Sequence, residues 1–168
     1  MSRRPATINE PFASLPLSLL QSPAFRALSW DARRVLDRLM IEHLRHGGHR
    51  HDRLVCTYSD FAASGIRQRS IASAIRECIE LGMLVVTKQG TPSISTRRQP
   101  SEYRLTFLGG RAKGGYVPPT DEWRQVESDD EAVTRLARAA SMKSAQHVRR
   151  AAAAKLRQGA GRGERDAA

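Results

Sequence analysis

The stretch from Thr57 to Leu84, TYSDFAASGIRQRSIASAIRECIELGML, restricts the fold more than any other part of the chain. Thr57, with Asp60 three residues on, reads as a capping box in which Asp replaces the preferred Glu, so a short helix starts here. Phe61 and Ala62 give that helix its buried side. Gly65 supplies a turn where a positive φ costs little, and Ile66 fills the space between two helices. A second helix is predicted from Gln68 to Leu81. At about 100° per residue, Ile75, Cys78 and Gly82 fall within about 40° of Ile71, with Ala74 and Leu81 on the flank. Arg69, Ser73, Arg76 and Glu80 lie opposite, between about 140° and 200°. One face can be buried while the other meets solvent.

The flanks extend the pattern in both directions. Upstream, Ser29 caps a helix predicted over Trp30 to His46, with Asp31 in its first turn. Ala32, Val35, Leu36, Leu39, Met40 and His43 form its core stripe, Arg33, Arg34, Asp37 and Arg38 take the other side, and Gly47-Gly48 ends it. Leu54 to Cys56 reads as a brief strand. Downstream of Gly82, Met83–Lys88 and the alternating Glu102–Leu108 read as two strands joined by a loop holding Arg97 and Arg98. Before all this, residues 1–28 form an arm with one short helix at Leu17 to Leu20. Phe12, Leu15, Leu19, Leu20, Phe25 and Leu28 are too apolar for a free tail and are expected to pack on the domain.

The expected organisation is an arm at 1–28, a domain at 29–108, a Gly/Pro-marked linker at 109–127, a basic helical extension at 128–157 and a disordered tail at 158–168. Trp123 is expected to dock on the domain. Ser128 and Glu131 make a capping box for the extension, with Val133, Leu136, Ala137 and Ala140 as its narrow apolar stripe. The fold class is α+β: mainly α, with a small antiparallel β wing.

Charge narrows the class of partner. The chain of 168 residues holds 28 Lys+Arg against 17 Asp+Glu, a net charge of +11, as expected of a protein that meets a polyanion. Residues 1–110 carry 16 basic and 9 acidic side chains, residues 111–133 carry 3 and 6, and residues 134–168 carry 9 and 2. Cys56 and Cys78 lie within apolar patterns without C-x-x-C spacing, so both read as small buried hydrophobes in a reducing compartment. No long apolar run suggests a signal peptide or a membrane span. A cytoplasmic, nucleoid-associated location follows as the expectation.

From Gly65 to Leu84 the residues GIRQRSIASAIRECIELGML resemble bacterial winged helix-turn-helix DNA-binding proteins. With SPAFRALSWDARRVLDRLMIEH, SEYRLTF and PPTDEW, the resemblance spans roughly residues 10–125. It is to replication-initiator-like and regulatory proteins of plasmids, phages and integrative elements. The resemblance implies that the second helix enters the major groove of double-stranded DNA with Gln68, Arg69, Ser73 and Arg76 nearest the base edges. Arg pairs bidentately with guanine and Gln with adenine. Arg67 and Ser70, near the helix start, suit phosphates, and Lys88, Arg97 and Arg98 on the wing would touch backbone or minor groove. Glu80, four residues after Arg76, is placed to pair with it. The implied role is a transcriptional regulator or a replication-initiation factor of a mobile element, meeting replication or transcription machinery, with a homodimer as one arrangement. The basic C-terminal segment then adds either sequence-independent affinity or self-association.

Chemistry has little to build on. There is no phosphate-binding Gly-rich loop with Lys, no Ser/His/Asp or Cys/His arrangement, and Tyr58, Tyr103 and Tyr116 are isolated, so no enzyme and no cofactor are expected. His43, His46, His49 and His51 are close in sequence, which admits a metal-responsive regulator. Only two share a helix, however, and a basic helix end suits His equally, so no metal is expected. A protein-interaction winged helix without DNA specificity is the rival from another class.

Overall fold

A computed structural model describes residues 10–49, 52–91, 99–112 and 114–141. These form a mixed α+β fold in which three helices pack against a small antiparallel sheet. The elements are α1 (Leu17–Leu20), α2 (Pro23–Arg26), α3 (Trp30–Arg45), β1 (Leu54–Cys56), α4 (Tyr58–Ala63), α5 (Gln68–Glu80), β2 (Leu84–Lys88), β3 (Ser101–Leu105), β4 (Gly110–Ala112) and β5 (Gly115–Val117). A 3-10 turn at Glu122–Gln125 and a helix α6, described over 129–141, complete it.

The arm holds one helix more than expected. Ser22 accepts a hydrogen bond from the Phe25 N–H at 3.1 Å and so caps α2, whose first residue is Pro23. A proline at that position loses no helical bond, because the first N–H groups have no partner inside the helix. Leu19 and Leu28 are buried, and Leu15 and Phe25 pack against the core. Phe12, expected to pack, is 61% exposed, and Leu20 is exposed as well.

Helix α3 buries the stripe read from sequence: Ala32, Val35, Leu36, Leu39 and His43. Its N-cap is Ser29, which accepts from the Ala32 N–H at 3.2 Å. Arg38 departs from expectation. Its guanidinium turns from solvent toward Glu42 at 2.9 Å and Asp60 at 3.8 Å, joining α3 to the first turn of α4.

The sheet runs β1-β3-β2, all antiparallel. Its third strand stops at Leu105 rather than Leu108, and the reason is Thr106. That buried residue gives its carbonyl to the Thr120 and Asp121 N–H groups, both at 2.9 Å, while its hydroxyl donates to the Gly82 carbonyl at 2.7 Å. Its N–H still meets the Met83 carbonyl at 3.2 Å, and with its carbonyl turned to residues 120–121 the strand ends there. Gly82 itself has φ +70, and a Cβ would stand 2.7 Å from the Glu122 carbonyl carbon, so only glycine permits the 3-10 turn to lie so close.

The glycine-marked segment after β3 contains the ribbon β4-β5, and Trp123 lies buried at 3% exposure with its indole N–H donating to Asp121 at 2.8 Å. Helix α6 opens on Ser128, whose hydroxyl accepts the Glu131 N–H, while the Glu131 carboxylate accepts the Glu127 N–H at 3.0 Å, one residue before its expected partner. The apolar stripe expected at Val133, Leu136, Ala137 and Ala140 needs correction. Ala132 and Ala139 are the buried positions and Leu136 packs partly, whereas Val133 is 64% exposed and Ala137 and Ala140 face solvent. Small alanines let the helix lie close while Arg135, between them, reaches the end of α5.

Candidate nucleic-acid interface

Helix α5 is positioned from both ends. At its start, the turn after α4 closes through the Gly65 N–H to the Ala62 carbonyl at 2.9 Å, with φ +86 at Gly65. The Arg34 guanidinium donates to the Gly65 carbonyl at 2.8 Å and ties the turn to α3. At its end, Arg135 donates to the carbonyls of Glu80 at 3.4 Å and Gln125 at 3.2 Å while paired with Glu131 at 2.6 Å. Between these ends Ile71, Ala74, Ile75 and Cys78 are buried, as the wheel requires.

The preceding helix is locked by the capping box. The Thr57 hydroxyl accepts the Asp60 N–H at 3.2 Å, and the Asp60 carboxylate accepts the Thr57 N–H at 2.7 Å. The Thr57 hydroxyl, donating to the Asp60 carboxylate at 2.7 Å, and then the Thr57 N–H hold that carboxyl below its usual range. Burial pushes the Cys56 thiol up to about 12 and raises Cys78 further, so both remain neutral core groups.

The residues predicted to meet DNA divide into three sets. Arg67, Gln68 and Arg69 are exposed together at the start of α5, and none has a side-chain partner among the described residues. Ser70 and Ser73 are half-buried, and the Ser73 hydroxyl donates to the Ser70 carbonyl at 2.9 Å. Arg76 is half-buried, and its Nε is enclosed without an acceptor. The expected pair with Glu80 does not form among the described residues. Lys88 reaches Glu102 at 3.5 Å, where Arg53 also binds at 3.2 Å, so two cations share one carboxylate at the base of the loop. Arg97 and Arg98 lie outside the described residues.

The first turn of α5 contains no acidic residue and its N-cap, Arg67, makes no side-chain cap, so the partial positive charge of the helix start is offset by no side chain of that turn. Sequence reasoning missed Trp30 and Arg34. Both stand beside this turn, Trp30 at 81% exposure, and an unpaired large aromatic at a helix start was the available signal.

Elsewhere the chemistry is quiet. Among the described residues no group of three His, Cys, Asp or Glu side chains converges on a metal-sized space; His46 instead bonds the Glu42 carbonyl at 2.9 Å. No helix among them is long and apolar enough to cross a membrane. No family model, curated protein or solved structure matches the chain.

Proposed function

We propose that this chain is a winged-helix protein that binds specific sites in double-stranded DNA, acting as a transcriptional regulator or replication-initiation factor of a mobile element. The observation that carries the reading is the exposed cluster Arg67, Gln68 and Arg69 at the start of a helix whose opposite face is fully buried. A helix held on its core side can enter a groove without losing packing, and bidentate donors at its leading end match the base edges there. The order α3, β1, α4, α5, β2, β3 agrees with a three-helix, three-strand winged domain, with the segment between β2 and β3 as the wing. The net charge of +11 favours a polyanion.

Arg76 takes a smaller part in this reading than Arg69. A guanidinium whose Nε is already enclosed presents only its tip. The mechanism is binding followed by occlusion or recruitment, with no bond made or broken by the protein.

Gel-shift titration against mixed-sequence and selected duplexes tests it. Neutralising about five phosphates gives a slope of log K against log salt near −4 to −5. Affinity indifferent to salt, or no retarded complex at modest salt, overturns the reading in favour of a protein partner for the same basic face.

A further inference from the structure

Trp30 occupies the first position of α3, where neither capping nor core packing calls for an indole, and it is 81% exposed. Tryptophan is seldom left so bare, because it carries the largest apolar surface of any side chain. It rims an open cleft of about 400 Å³ lined by Ser29, Asp31, Arg34, Gly65 and Arg67. That cleft lies beside the first turn of α5, which has no side-chain cap and whose N-cap, Arg67, is one of the lining residues.

The charges in the cleft favour an anion. Arg34 spends one N–H on the Gly65 carbonyl and Arg67 spends none on any described residue, against the single carboxylate of Asp31. The carboxylate of Glu77 is already engaged by the Ser29 N–H at 3.3 Å. Trp30 also lines a smaller cleft, about 240 Å³, with apolar groups such as Leu15, Phe25 and Met40, and there the charge of Arg33 is balanced by that of Asp37. An anion with an apolar ring beside it therefore belongs in the cleft of Arg34 and Arg67.

We propose that this cleft is a second nucleic-acid contact. It takes one sugar-phosphate unit of the DNA strand bordering the groove, with the phosphate between Arg34 and Arg67 and the deoxyribose against the face of Trp30. The inference rests on duplex binding through α5 and adds to it a contact outside the groove. It makes α3, as well as α5, part of the footprint. A guanidinium pair supplies the salt-sensitive part of the contact and the indole supplies a part that salt does not screen.

The two tryptophans make the test direct, because Trp123 is buried at 3% exposure and reports as a constant background. In the full chain, saturation with a bound duplex is expected to lower acrylamide quenching of the exposed tryptophan at least about twofold, by analogy with removing that ring from water. Trp30→Phe, which retains only Trp123, should show no such change. Trp30→Ala should weaken duplex binding about threefold to tenfold while leaving the salt slope unaltered. Arg67→Gln should reduce the slope by about one. Unchanged quenching at saturating duplex, or wild-type affinity in Trp30→Ala, overturns this contact and leaves binding through α5 standing. Absence of any complex with wild-type protein overturns both together.

Discussion

The guanidinium of Arg34 and the carbonyl of Gly65 meet at 2.8 Å, so the turn before α5 is held by a side chain from another helix as well as by its own backbone. Gly65 has φ +86, and a Cβ there would stand 2.5 Å from Arg34 Nη1. Gly65→Ala therefore strains the backbone and displaces the arginine together. We expect a loss of about 1–2 kcal/mol in stability from the left-handed backbone, measured by urea denaturation. An unchanged midpoint would show that the turn relaxes freely.

The capping box gives a pH-dependent prediction. The Asp60 carboxyl sits below its usual range because Thr57 donates to it from both hydroxyl and backbone. A group whose folded pKa is depressed stabilises the fold above its unfolded pKa, and that contribution disappears as pH falls through the folded value. Stability should thus decline in acid, and Asp60→Asn should flatten that part of the profile. Thr57→Ala, which removes the hydroxyl that caps α4, should cost about 1 kcal/mol at neutral pH. Denaturation midpoints across the acid range check both.

Arg69 and Arg76 should behave differently when replaced. Arg69→Ala removes an exposed donor and should leave stability unchanged within about 0.5 kcal/mol, while discrimination among DNA sites falls by about 1–3 kcal/mol. Arg76→Met exchanges a guanidinium with an enclosed, unpartnered Nε for an apolar chain of similar reach. It should be neutral or stabilising in denaturation, because an unsatisfied buried donor costs about 1–3 kcal/mol. A large destabilisation would mean that the Arg76 tip has an acceptor of consequence.

Arg135 and the charge beyond it can be separated by where the chain is cut. Arg135→Ala loses the contacts to the Glu80 and Gln125 carbonyls and to Glu131, and should loosen α6 from the domain, read as faster amide exchange over 129–141. Truncation after Ser141 leaves that anchor intact and removes 7 basic and 2 acidic side chains. It should weaken binding to all duplexes by a similar factor and make the salt slope shallower. Selective loss of one site's preference would assign base reading to the removed segment.

Elements set by local rules were readable from residues alone. The spacing of Ile71, Ile75 and Cys78 located the buried face of α5, and Thr57 with Asp60 located the start of α4, because periodicity and capping act within a few positions. What escaped depends on residues distant in sequence. Thr106 ends β3 by bonding Thr120 and Asp121, and Arg38 is enclosed because Asp60 arrives beside it from another helix. The inner face of α6 was misplaced for a similar cause: alanine marks both of its sides, and only Arg135 reaching α5 selects one. At the interface, Arg69 is exposed where the wheel puts it, whereas the exposure of Arg67 and Gln68, the enclosure of Arg76 Nε and the cleft at Trp30 were not given by the wheel.

The two arginines at the ends of α5 divide the helix into a leading tip and a trailing heel. Arg34 grips the turn before the tip, and Arg135 grips the carbonyl of Glu80 at the heel, a rise of about 20 Å away for a helix of this length. Helix α6 therefore takes its position from the heel, by way of Arg135. The rod of α5 answers to α3 at its tip and to α6 at its heel, and a shift of either tilts it about the other.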